Sequence, residues 1–70
     1  MKLTIDTEQE TDGRWIAEVL EIPGALKYGD TREAAIANAE ALALRVMAER
    51  LENAETKADL PFHITLATAG

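Results

Sequence analysis

The chain has 70 residues, with seven Lys or Arg against thirteen Asp or Glu, a net charge of −6 and no cysteine. That length fits one small domain, and the absence of cysteine excludes both a disulfide framework and a thiolate metal site. Every third of the chain is neutral or acidic on balance, so the basic face that a nucleic-acid module turns toward phosphate is missing and no direct nucleic-acid binding is expected.

Hydrophobic residues make up 47% of the chain, but alanine supplies much of that share, and Trp15, Tyr28 and Phe62 are the only aromatic residues. Large core anchors are scarce in a domain of a size that buries little surface to begin with. A homodimer or higher homo-oligomer is the expected remedy. No stretch approaches the roughly 20 apolar residues of a membrane span. The first residues turn acidic before a signal-peptide core can form, so no membrane partner is expected and the expected compartment is the cytoplasm.

From Lys2 to Glu8, Leu3, Ile5 and Thr7 alternate with Thr4, Asp6 and Glu8, the period of two that marks a half-buried strand. Asp12-Gly13 closes a polar stretch and suits a hairpin tip, and Arg14 to Leu20 supplies the return strand, with Trp15, Ala17 and Val19 on one face. Pro23-Gly24 breaks that strand, and Ala25 to Tyr28 reads as a short third one. Gly29-Asp30-Thr31 then opens a helix over Arg32 to Leu51 or Glu52, capped by Asp30 or Thr31, with the Asp30-x-x-Glu33 spacing of a capping box.

On that helix Ile36, Ala39, Ala43 and Met47 form the centre of an apolar stripe, flanked by Leu42 and Val46 on one side and by Leu44 and Leu51 on the other. Asn38, Arg45, Glu49 and Glu52 occupy the opposite face. The stripe is wider than packing on a sheet requires; the excess reads either as a second contact, with another subunit, or as helix propensity alone. Asn53 to Asp59 is a polar link, Pro61 stops the helix, and Phe62, Ile64 and Leu66 alternate through a fourth strand ending near Thr68. The expected fold is α+β, a single β-β-β-α-β domain over residues 1–70 with one helix packed on one face of a four-stranded mixed sheet. Strands one to three form an antiparallel meander, and the helix is a right-handed crossover that returns the fourth strand parallel to the third.

No serine or cysteine is present and His63 is the single histidine, so neither a Ser-His-Asp arrangement nor a histidine metal cluster within one chain is possible; His63 reads as a structural strand residue. Asp6 lies in mid-strand, and Glu18 on the paired strand is placed to approach it. The pair reads either as the core of a metal-dependent nuclease site or, preferably, as part of a solvated strand face; no metal or other cofactor and no catalytic residue is expected. Gly24 and Gly29 flank a short strand and match no phosphate-binding loop. Trp15 and Tyr28, with no basic groove around them, suit core packing or protein contact better than base stacking. The acidic strip of Asp6, Glu8, Glu10 and Asp12 has two readings: a face that maintains solubility, or a docking surface that steers a basic partner.

Three ordered motifs carry a family resemblance: Asp12-Gly13-Arg14-Trp15-Ile16-Ala17-Glu18-Val19, then Glu21-Ile22-Pro23-Gly24, then Gly29-Asp30-Thr31 followed by Glu33-Ala34. In order and spacing the chain resembles the HicB-like antitoxin family, whose pattern is a D-G hairpin, an aromatic-led strand ending in P-x-L-P-G, a G-D-T turn and a long helix opening with E-A. Asn38-Ala39 and the helix extend the match to about Leu51, and Leu60-Pro61 resembles the approach to the family's last strand. Leu20 stands where the first proline of that pattern falls, and Ala25 where the family often has cysteine. The resemblance implies a partial RNase H-like fold and a partner, a small basic HicA-type ribonuclease toxin whose active and RNA-binding surface the antitoxin masks. Gly13, Trp15, Pro23, Gly24, Gly29, Asp30 and Thr31 are then structural motif residues, and Asp6, Glu8, Glu10 and Asp12 the partner-binding set. Many relatives carry a C-terminal DNA-binding domain; none is expected over these residues, and the domain itself reads as catalytically inert. An oligomeric module without a toxin stays open as the alternative.

Overall fold

The computed structural model describes residues 1–53 and 63–69. Its elements run β1 (Lys2–Gln9), β2 (Trp15–Val19), β3 (Leu26–Gly29), α1 (Arg32–Glu52) and β4 (Thr65–Ala69), an α+β domain with a mixed four-stranded sheet in the order β3-β2-β1-β4. The β-β-β-α-β order agrees with the periodicities. Phe62, Pro61 and the link from 54 to 59 lie outside the described residues. β4 runs in the same direction as β3 but does not lie beside it. It pairs in parallel with β1 at the opposite side of the sheet, Leu3 facing Leu66 and Ile5 facing Thr68. A 21-residue helix lying over β3, β2 and β1 carries the chain across the whole meander, so the first free position is the far edge of β1.

The turns follow local residue chemistry. Gly13 N–H donates to Glu10 O at 3.0 Å and Glu10 N–H to Arg14 O at 2.7 Å, closing a three-residue hairpin whose last position requires positive φ; Gly13 supplies it at +93°. At the other end Ala25 N–H donates to Ile22 O at 3.1 Å across Pro23-Gly24, with Gly24 at φ +80°. Proline and then a positive-φ glycine are what a type II turn demands. Thr31, in extended conformation, caps α1 by accepting from Ala34 N–H at 3.1 Å. Asp30 is therefore not the cap, and Glu33 falls one position short of closing a capping box on Thr31; it contributes instead as an acid in the first turn, opposite the helix dipole.

The core consists of Leu3, Ile5, Ala17, Val19, Ile22, Ala25, Ala35, Ala39, Ala43 and Met47, with Trp15, Ile36, Leu42, Val46, Ile64 and Leu66 packed at its margin. The centre of the buried helix stripe is thus Ala35, Ala39, Ala43 and Met47, and Ile36 lies beside it rather than in it. Three of the four central positions are alanine, and where the helix begins its backbone lies close against the end of β3. Among the described residues Leu44 and Leu51 belong to no part of the core, and they remain 48% and 37% exposed.

The same closeness explains Gly29. A Cβ placed there would lie 2.8 Å from Ala34 C and 2.9 Å from Ala35 Cα, with Ala35 N nearer still, all backbone atoms of the first helical turn. None of these can move without shifting the helix. Gly29→Ala is expected to cost about 2–3 kcal/mol in urea denaturation, as overpacking does. Gly13→Ala, facing open space but at positive φ, should cost only about 1 kcal/mol. Asparagine, which tolerates positive φ, should be nearly neutral at Gly13 and as damaging as alanine at Gly29.

Candidate functional site

One face of the sheet is covered by α1; the other is open. Alternation along β1 turns Leu3 and Ile5 inward and Asp6 and Glu8 outward, and along β2 it turns Ala17 and Val19 inward and Glu18 outward. Cross-strand register then assembles the open face: Asp6 stands opposite Glu18, which stands opposite Leu26, while Glu8 stands opposite Ile16, which stands opposite Tyr28. Asp6, Glu8, Glu18, Ile16 and Leu26 line a shallow depression of about 130 Å³ on this face. Leu20, 52% exposed, continues the apolar part beyond the end of β2.

The four acids of the predicted strip do not share one situation. Asp6 and Glu8 lie on the open face as expected. Glu10 accepts from the Tyr28 hydroxyl at 3.4 Å, at the start of the hairpin loop. Asp12 sits at the hairpin tip, where it accepts from Arg14 N–H at 3.0 Å and from Arg14 Nε at 2.8 Å. The Arg14 backbone N–H first, and its guanidinium second, hold the Asp12 carboxyl below its ordinary range. Arg14 in turn lies 4.6 Å over the Tyr28 ring, a cation–π contact that ties the hairpin tip to β3. Asp12 is thus engaged locally, and Glu18 takes its place on the acidic face. The signal for Glu18 was the hairpin pairing, which set it opposite Asp6 on the same face.

Asp6 and Glu18 are like charges directly opposed across the β1–β2 pair, an arrangement that destabilises a sheet. Among the described residues no group of three or more His, Cys, Asp or Glu side chains converges as a metal-holding set. His63 is exposed, and its carbonyl, not its ring, is engaged, accepting from the Met1 amino group at 3.0 Å. Trp15 packs at the core margin beneath α1, whereas Tyr28 is 41% exposed beside Arg14.

A further carboxylate borders the face. Leu20 N–H donates to Thr4 O at 2.9 Å, but β2 turns away after Leu20 and offers no carbonyl in return; the Glu21 carboxylate accepts from Thr4 N–H instead, at 2.6 Å. That backbone bond holds the Glu21 carboxyl below its ordinary value. Sequence pattern carries no sign of this, because a side chain is replacing a ladder acceptor at a strand end. Among the described residues no helix is long and apolar enough to cross a membrane. Comparisons with family models, with curated proteins and with solved structures found no match.

Two outcomes follow from these electrostatics. Because the Glu21 carboxyl is lowered in the folded state, its contribution is present above the unfolded value near 4.5 and is lost as pH falls through the folded one. Glu21→Gln should therefore lower the urea midpoint at pH 7, and the gap to wild type should narrow as pH falls below 4.5 and through the folded value; a gap of constant size would show that the charge contributes nothing. Glu18→Gln, which removes one of the two opposed charges, should raise stability by about 0.5 kcal/mol at low salt and by less at high salt, read from the same unfolding curves.

Proposed function

We propose that the domain is a HicB-like antitoxin or antitoxin-like binding module with a partial RNase H-like fold, which neutralises a small basic HicA-type ribonuclease by covering its active surface. One observation carries the reading: an open sheet face that sets Asp6, Glu8 and Glu18 beside half-buried Ile16 and exposed Leu26 and Leu20. The opposed acids cost stability in the free domain, and a cationic partner surface relieves that cost on binding. Neighbouring apolar side chains supply the area that charge alone does not. The ordered hairpin, Pro-Gly and Gly-Asp-Thr motifs that resemble the family fall on the two turns and on the β3–α1 junction with its cap, so they support the reading as fold determinants rather than as contact residues.

Binding of a purified HicA-type toxin, followed by RNA cleavage and by stopped-flow association, tests this. Stoichiometric addition of the domain should abolish cleavage. The triple variant Asp6→Lys, Glu8→Lys, Glu18→Lys should slow association by about tenfold or more at low salt and by much less at high salt. Undiminished cleavage at excess domain, together with no measurable association, would sink the reading.

A further inference from the structure

Helix α1 has two apolar sides, and only one of them faces the sheet. Ala37, Ala41, Leu44, Ala48 and Leu51 follow one another at intervals of four, three, four and three residues, the spacing of a heptad seam. This row lies away from the buried row of Ala35, Ala39, Ala43 and Met47, and it is solvent-facing: Leu44 is 48% and Leu51 37% exposed, Ala37 and Ala48 are exposed and Ala41 is half-buried. These two leucines, one heptad apart with Ala48 between them, take no part in the core among the described residues.

We infer that this row is a self-association surface, on which α1 of a second copy lies parallel and in register. Three observations favour another copy over another occupant. Ala41 and Ala48 at one seam position let two helix backbones approach closely, and Ala37, Leu44 and Leu51 at the other interlock with their equivalents. Charge agrees: Glu40 precedes the seam and Arg45 follows it five residues on, the pair of flanking positions that face each other across two parallel helices. Twofold symmetry then forms the Glu40 to Arg45 contact twice. On the open sheet face self-contact is opposed, since it would set Asp6, Glu8 and Glu18 against the same three acids in a chain of net charge −6. The resulting dimer has its helices in the middle and its two open sheet faces outward, each free for the partner proposed above, on which this inference does not depend.

The seam is short and largely alanine, so it buries less than the roughly 1,000 Å² of a stable specific interface and the dimer is reversible. Sedimentation equilibrium of the full chain up to about 500 µM should show the mass rising from monomer to dimer. Leu44→Glu should weaken the dimer at least tenfold while leaving the unfolding midpoint of the dilute protein in place. Glu40→Lys alone should weaken it, and adding Arg45→Glu should restore it. As the chain contains no cysteine, Ala37→Cys should yield a single disulfide-linked dimer on mild oxidation, because a parallel register places the two copies of that position together. A monomer throughout the range, a dimer indifferent to Leu44→Glu, or a dimer broken by Leu20→Glu on the open face would each overturn the inference. Failure of Ala37→Cys to cross-link to itself, where a mixture of the single variants Ala37→Cys and Leu51→Cys cross-links one to the other, would overturn the parallel register.

Discussion

Ala35, Ala39 and Ala43 have no exposed surface, and beneath them on the sheet lies Ala17, equally buried. Alanine against alanine brings α1 nearer to the sheet than a layer of leucines would, and the rest of the domain is arranged around that short distance. Gly29 must lack a side chain because the first turn of the helix passes directly over it. The larger residues of the core, Ile5, Val19, Leu3 and Met47, fill the space around the alanine row instead of separating the two layers. A core built this way gains contact density but little apolar volume. Turn and cap geometry therefore weighs more in this domain than it would beneath a layer of leucines.

Within the described residues, much of the architecture was legible from alternation and punctuation. Period-two alternation placed β1 and β2 within a residue or two, Asp12-Gly13 and Pro23-Gly24 marked the two turns, and Gly29-Asp30-Thr31 marked the start of α1. What escaped was whatever depended on distance between elements. Hydropathy favoured Ile36 over Ala35 for the centre of the helix stripe, because hydropathy ranks burial by size and not by the room available. Asp30 and Thr31 are both competent caps, and only the backbone conformation of Thr31 decides between them. Adjacency of β4 to β1 rather than β3 is likewise a matter of how far a 21-residue helix reaches, which periodicity does not encode.

The candidate surface was legible only in part, for a related reason. A run of acids at every second position looks uniform on paper, yet Asp6 and Glu8 leave the strand toward solvent while Asp12 folds back on Arg14 and Glu10 meets Tyr28. Hairpin curvature removes the end of the strip from the plane of its beginning. Glu18 enters the surface from the neighbouring strand, so the acidic field is two strands wide rather than one strand long. The acids and the apolar side chains thus share the face opposite the helix.

Met1 donates to the carbonyl of His63, and Thr65 N–H donates to the carbonyl of Met1, joining positions more than sixty residues apart. Of the five elements β1 is the first to be synthesised and β4 the last, yet they are neighbours in the finished sheet. Hairpin and helix can assemble as they emerge from the ribosome, but one side of β1 must wait for the final strand, with its backbone groups unpaired in the interval. Contacts of such long sequence separation are the slow step of folding, and an unfinished strand edge is the place where two nascent chains pair wrongly. The vulnerable interval of this domain is therefore the one before β4 docks, when the hairpin and helix have formed and one edge of β1 is still open.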